Sequence, residues 1–154
     1  MKTSHSAILT RRAALAAGAG LGAFALMPTA RATPETMAAA VKTFTGGKPI
    51  ADGRVKLEIS LLVENGNSVP LSVTVDSPMT RQDHVKRIGI FNEKNPLPEV
   101  LTFHLTPRSG RAQVASRMRL NDTQFITAIA EMSDGSFWSG KAEVIVTMPA
   151  CVEE

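Results

Sequence analysis

Residues 55–75 read VKLEISLLVENGNSVPLSVTV, and this stretch decides the class of fold. Apolar side chains alternate with polar ones over residues 55–61 and again over residues 69–75. A period of two places successive side chains on opposite faces of an extended chain, so each run predicts a strand with one buried face. Residues 64–67 contain an Asn-Gly pair, which favours a turn. The stretch therefore predicts two neighbouring β-strands.

Five more strand-like runs follow, separated by links rich in Pro, Asn and Gly. They are residues 85–91, 100–105, 112–120, 125–132 and 137–148. Ser133-Asp134-Gly135-Ser136, between the last two runs, predicts a hairpin turn. Seven short strands in about 100 residues are typical of an immunoglobulin-like, antiparallel β-sandwich. We therefore predict an all-β sandwich domain over residues 48–148, followed by a tail at 149–154.

A short helix is predicted before the strands, over residues 33–47. Thr33 suits the N-cap, Pro34 suits the first helical position, and Gly46-Gly47 ends the helix. Apolar residues recur between them at helical spacing: Met37, Val41 and Phe44. We expect this helix to pack against a sheet.

The first 32 residues have the features of an export signal. They carry Arg11-Arg12, a short glycine-rich apolar run and the small-x-small site Ala30-Arg31-Ala32, with no acidic residue. This pattern predicts a cleaved signal peptide and not a membrane span. The paired arginines favour twin-arginine export to the periplasm. Ala14 stands where such signals prefer a large apolar residue, so the general secretory route stays open.

Removal of residues 1–32 changes the charge balance. The whole chain has 17 basic and 14 acidic residues, and four of the basic ones lie in the signal. The remaining 13 basic and 14 acidic residues do not form the strongly basic surface expected of a nucleic-acid-binding protein. A membrane surface is no better supported as a partner.

Cys151 is the only cysteine. A disulfide within the chain is therefore impossible, and the thiol is free, paired with another chain or chemically used. Free cysteines are often buried, but this one lies three positions from the C-terminal Glu154. Cys151 is thus the best candidate for a functional group.

Other chemistry-bearing residues give weaker patterns. His84 and His104 are the only histidines after the signal, and His104 alternates with apolar neighbours, which predicts a surface side chain. No serine lies in a nucleophile-elbow pattern, and no zinc-spaced or phosphate-loop motif occurs, so we predict no catalytic residue, metal or cofactor. A blue-copper site is disfavoured, because such sites place His and Met shortly after the cysteine, and only Val152-Glu153-Glu154 follow Cys151.

The remaining candidates are predicted to lie on the surface or in the core. Four arginines allow two interpretations, an anion-attracting patch and, favoured over it, solvated strand faces: Arg108, Arg111, Arg117 and Arg119. Four methionines are interpreted as core: Met79, Met118, Met132 and Met148. Trp138 is expected to pack internally, with a partner interface as the second possibility.

Several segments resemble the SoxY family, the substrate-carrying subunit of the periplasmic thiosulfate-oxidising system. They span most of the chain after the signal: Glu64-Asn65-Gly66-Asn67-Ser68-Val69-Pro70, Val75-Asp76-Ser77-Pro78-Met79-Thr80, Asn95-Pro96-Leu97-Pro98, Thr102-Phe103-His104-Leu105-Thr106-Pro107, Ser109-Gly110-Arg111-Ala112 and Ala130-Glu131-Met132-Ser133-Asp134-Gly135.

The resemblance implies a sandwich that forms a heterodimer with a second small β-protein, SoxZ. It also implies that Cys151 carries sulfur intermediates covalently between enzymes. A c-type haem protein joins thiosulfate to the thiol, a hydrolase removes sulfate, and the remaining sulfur is oxidised in place. The chain would then be a carrier and not itself an enzyme.

The tail departs from the family pattern. The family ends in Gly-Gly-Cys-Gly-Gly or close to it, whereas this chain ends Pro149-Ala150-Cys151-Val152-Glu153-Glu154. Proline stiffens the chain, and the two glutamates repel anions such as thiosulfate. An alternative is therefore a non-carrying homologue, which keeps the sandwich and the partner interface but has lost the delivery arm. An enzyme with its own active site has little support.

Overall fold

The computed structural model describes residues 31–150, so most of the predicted signal peptide and Cys151 itself lie outside the described residues. One helix and nine strands make up the described fold. In chain order they are α1 (Pro34–Thr45), β1 (Ile50–Asp52), β2 (Val55–Ile59), β3 (Leu62–Val63), β4 (Val69–Val75), β5 (Val85–Asn92), β6 (Glu99–His104), β7 (Gln113–Met118), β8 (Gln124–Met132) and β9 (Phe137–Val146). A single 3-10 turn, Pro107–Ser109, joins β6 to β7.

The strands form two sheets that face each other across a hydrophobic core. The larger sheet has the order β1-β9-β8-β5-β6, with β3 also paired to β9, and the smaller has the order β2-β4-β7. This confirms the predicted immunoglobulin-like sandwich with a short N-terminal helix. The prediction of about seven strands missed β1 and β3, which are too short to show an alternating pattern. Both pair parallel to β9, so the sandwich is not wholly antiparallel.

Burial along the strands explains their sequence patterns. In β4, buried residues alternate with accessible ones, because only one face of the smaller sheet meets the core. In β5 the last five residues, Ile88–Asn92, are all buried, and in β8 seven of nine residues are buried. The reason is that β5 and β8 lie at the centre of the larger sheet, between the smaller sheet and α1.

The helix closes the outer face of the larger sheet. Thr33 caps it by accepting the Thr36 N–H, and Gly46 ends it with a left-handed φ of 64°. Its buried Met37 and Phe44 pack with three residues of the sheet: Phe91, Ile129 and Phe137. The expected packing of the helix against a sheet is confirmed.

Two predictions about buried residues are wrong. The alternation over 55–61 predicts an inward-facing Leu61, but β2 ends at Ile59 and Leu61 is 63% exposed. The chain crosses there from the smaller sheet to β3 at the larger one, which breaks the alternation. Met148 is predicted to lie in the core but is 62% exposed, because β9 ends two residues earlier. The other three methionines are buried as predicted: Met79, Met118 and Met132.

Candidate functional site at the base of the C-terminal tail

After β9 the chain does not leave the sandwich but continues along the segment that follows β3. Thr147 donates its N–H to the Val63 carbonyl oxygen over 3.0 Å. Its hydroxyl lies 3.4 Å from the carbonyl oxygens of Val63 and Glu64. The tail therefore starts as an extension of the sheet.

The Asn-Gly turn predicted at 64–67 receives the next residues of the tail. Gly66 donates its N–H to the Met148 carbonyl oxygen over 2.9 Å, and the turn is tightened by the Asn67 N–H, which donates to Asn65 Oδ1 over 2.9 Å. Leu120 donates its N–H to the Gly66 carbonyl oxygen over 2.8 Å. Ala150 in turn donates its N–H to the Leu120 carbonyl oxygen over 2.9 Å. The backbone is thus held through Ala150, whose side chain is only 3% exposed.

A buried asparagine supports the Leu120 segment. Asn95 Nδ2 donates to the Arg119 carbonyl oxygen over 2.7 Å. Asn95 Oδ1 accepts from the Asn121 N–H over 3.3 Å and from Gln124 Nε2 over 3.2 Å. The Asn95 carbonyl oxygen accepts the Ala32 N–H over 2.8 Å. One residue therefore joins the start of the described chain to the loop that holds the tail.

Charged side chains surround this end of the sandwich. Lys94 Nζ lies 2.9 Å from Asp122, and its hydrogen bond, together with that from the Thr123 N–H, holds the pKa of Asp122 below its usual range. Arg119 is exposed on the segment that binds Ala150, and Arg117 donates to Ser68 Oγ over 3.3 Å. The predicted solvated face for these two arginines is confirmed.

Most other candidates from the sequence lie away from the tail. His104 lies opposite Arg87 in the strand register, near the start of β5, and His84 immediately precedes β5. Both histidines are therefore at the other end of β5 from Asn95, which follows that strand. His104 is exposed, as predicted, and His84 Nδ1 is buried with no hydrogen-bond partner within residues 31–150. Trp138 packs against the core, as expected.

Sequence reasoning identified the Asn-Gly turn and Cys151 but missed the contacts that connect the turn to the tail. Gly66 and Leu120 meet the tail, and Asn95 meets the Leu120 segment, only after folding, so no local pattern marks them. A polar Asn95 within a Pro-rich link was the one available signal of a buried hydrogen-bond hub.

Residues 31–150 contain neither a metal-binding cluster nor a membrane-spanning helix. No group of three or more His, Cys, Asp or Glu side chains is placed to hold a metal ion. No helix in this range has both the length and the apolar character needed to cross a bilayer.

The fold and the tail together define the class: a small immunoglobulin-like sandwich whose C-terminal tail is tied to one end. The family model described as sulfur oxidation protein SoxY matches residues 41–151. The chain belongs to the SoxY family. Among curated protein sequences, none matches the chain.

Solved structures agree with this assignment. The structure of the sulfur carrier protein SoxY from Chlorobium limicola f thiosulfatophilum is 26% identical and has a TM-score of 0.62, with 73% of this chain and 92% of that chain covered. Superoxide reductase (neelaredoxin) from Ignicoccus hospitalis is 16% identical over 61% of this chain and 80% of that chain, with a TM-score of 0.55. Superoxide reductase from Nanoarchaeum equitans is 11% identical over 62% of this chain and all of that chain, with a TM-score of 0.52. These two reductases share the fold alone.

Proposed function

We propose that this protein carries sulfur intermediates covalently on Cys151 during thiosulfate oxidation. The observation that carries the proposal is the family match over residues 41–151, which extends to Cys151. The similar Chlorobium protein is described as a sulfur carrier. The lone thiol near the C-terminal end of the chain suits a role in which other proteins act on the bound group.

The chemistry requires a thiol and an external oxidant. The Cys151 sulfur forms a disulfide bond with the outer sulfur of thiosulfate, the thiol proton is released, and two electrons pass to a c-type haem protein. Water then attacks the sulfonate sulfur, the bond between the two thiosulfate sulfurs breaks, and sulfate leaves. The outer sulfur of the persulfide that remains on Cys151 is then oxidised to a sulfonate while still attached: three water molecules supply the oxygens, six protons are released, and six electrons pass to a c-type haem protein. The carrier supplies the attachment point and no catalytic residue.

The setting follows from the family. We propose a complex with a SoxZ-like β-protein and a periplasmic location, reached through the twin-arginine signal at Arg11-Arg12. Pull-down from periplasmic extract with tagged protein tests the complex. Replacement of Arg11-Arg12 by Lys-Lys should leave unprocessed precursor in the cytoplasm.

The decisive experiment is mass spectrometry of the protein isolated from thiosulfate-grown cells. A reductant-sensitive mass increase on the peptide that contains Cys151 is expected, and it should be absent from the Cys151→Ser variant. Only free thiol on wild-type protein under these conditions would refute the carrier role.

A non-carrying homologue is the second candidate, and the tail favours it. Pro149 and the buried Ala150 replace the glycines of the family arm. Thiosulfate-dependent activity should be compared for the wild-type tail, Cys151→Ser and a tail restored to Gly-Gly-Cys-Gly-Gly. Equal activity of the wild type and Cys151→Ser would favour the non-carrying homologue. Activity that Cys151→Ser abolishes would favour the carrier.

A further inference from the structure

We infer that Gly66 is a positioning residue, which seats the tail against Leu120 and so fixes the point from which Cys151 is presented. The consequence for sulfur delivery rests on the proposed function, whereas the seating of the tail does not. The inference starts from the meeting of three backbone segments at Gly66: its own turn, Leu120 and the tail residues Met148 and Ala150.

The close approach at Gly66 leaves no room for a side chain. A Cβ atom there would lie 2.3 Å from the Leu120 carbonyl oxygen and 2.9 Å from the Ala150 nitrogen. Both distances are shorter than non-bonded contacts allow, and both atoms belong to the backbone, so neither can rotate away. The φ of Gly66 lies outside the left-handed region, so an alanine could adopt this backbone conformation. The requirement for glycine is therefore one of space.

The tail should yield before the Leu120 segment does. That segment is braced on the other side by Asn95, which bonds to the residues before and after Leu120. Ala150, in contrast, is held by one hydrogen bond to the Leu120 carbonyl oxygen. An added methyl group at Gly66 would push the 64–67 turn away from the Leu120 carbonyl oxygen and crowd the Ala150 nitrogen, so the single hydrogen bond between these two atoms should break.

The seating sets the reach of the thiol. With Ala150 held, the Cys151 Cα is one peptide step, about 3.8 Å, from an anchored Cα. Release of residues 148–150 would add roughly 10 Å of reach, at about 3.3–3.6 Å per extended residue. A protein that acts on Cys151 must therefore approach the end of the sandwich formed by the 64–67 turn and Leu120.

Gly66→Ala tests the inference, with Gly140→Ala as a matched control. A Cβ at Gly140 would also meet a backbone carbonyl oxygen, that of Val55 at 2.6 Å, but Gly140 lies in the middle of β9 and away from the tail. Amide hydrogen exchange of Ala150 is the readout, measured relative to the global stability of each variant. We expect Ala150 exchange to be roughly tenfold or more faster in Gly66→Ala and unchanged in Gly140→Ala.

A second variant covers the case in which Gly66→Ala does not fold. Ala150→Pro removes the N–H that binds Leu120 and leaves Gly66 intact. It should accelerate labelling of Cys151 by a bulky maleimide relative to wild type. The inference would be overturned if the Ala150 amide exchanged as slowly in Gly66→Ala as in the wild type. It would also be overturned if this amide were unprotected from exchange in the wild type. A missing sulfur adduct on a protein with a protected Ala150 would instead refute only the proposed function.

Discussion

The guanidinium of Arg87 lies over the ring of Phe44, 4.0 Å from its centre, and its Nη2 donates to the Phe44 carbonyl oxygen over 2.7 Å. Phe44 is in the last turn of α1 and Arg87 is in β5, so this contact fastens the helix to the larger sheet. Glu131 of β8 holds Arg87 in place through a hydrogen bond to Nε, and it also accepts from Lys86 Nζ over 2.7 Å. The ion-pair cluster therefore supports the packing of the helix.

Glu131 should make the stability of the protein depend on pH. Burial raises its pKa, but hydrogen bonds from Lys86 and Arg87 outweigh burial and hold the pKa below the usual 4.5. A lowered folded-state pKa means that the cluster stabilises the protein at neutral pH, and that this contribution is lost as pH falls below about 4.5. Glu131→Gln should cost about 1–2 kcal/mol in the free energy of unfolding at pH 7, measured by urea denaturation.

The difference between wild type and Glu131→Gln should shrink as pH falls through the same range. Glu58→Gln is the control, because Glu58 also has a lowered pKa, from its hydrogen bonds with Lys56 and Ser72, but lies on an exposed strand face. It should change stability little at any pH. Equal losses for the two variants would contradict a special role for the Glu131 cluster.

Asn95 should be among the costliest polar residues to replace. Asn95→Ala would remove the partners of the Arg119 carbonyl oxygen and the Asn121 N–H, inside a loop junction where Asn95 is only 7% exposed. A loss of about 2–4 kcal/mol is expected in urea denaturation. Gln82→Ala, at an exposed amide without such bonds, should be nearly neutral. A cost for Asn95→Ala within 0.5 kcal/mol of that control would contradict the proposed bracing.

The sandwich could be predicted because its main strands carry the pattern within themselves. In β4 the alternation follows directly from one buried face. The unbroken burial of residues 88–92 in β5 depends on α1, a partner that periodicity does not specify. The apolar run of β5 is nevertheless sufficient to predict a strand. β3 depends entirely on its pairing with β9, which is why the sequence pattern missed it.

The candidate site was predictable only in part. Cys151 is conspicuous as the single cysteine, and Asn65-Gly66 as a turn. The role of Gly66 in seating Ala150 arises from the approach of segments that are far apart in the sequence, and a turn glycine does not reveal it. The stiffness expected from Pro149 is now joined by a second restraint, the hydrogen bond from Ala150 to Leu120.

Charge near the tail should control reactivity toward anions. Glu153 and Glu154 follow Cys151 within three positions, whereas Arg119 is exposed beside the residue that binds Ala150. Glu153→Gln combined with Glu154→Gln should speed the reaction of Cys151 with a dianionic aromatic disulfide about two- to fivefold at low salt. Arg119→Gln should slow it by a similar factor. Arg108→Gln, in the 3-10 turn that follows β6 at the opposite end, should change nothing.

Salt and a neutral reagent separate the electrostatic effect from a change in shape. At about 0.5 M salt the differences among these variants should nearly vanish, because screening acts over a few ångströms. At low salt the differences should be smaller with uncharged iodoacetamide than with the dianion. Rates that differ equally for both reagents and do not respond to salt would show that the substitutions alter access to the thiol and not the local potential.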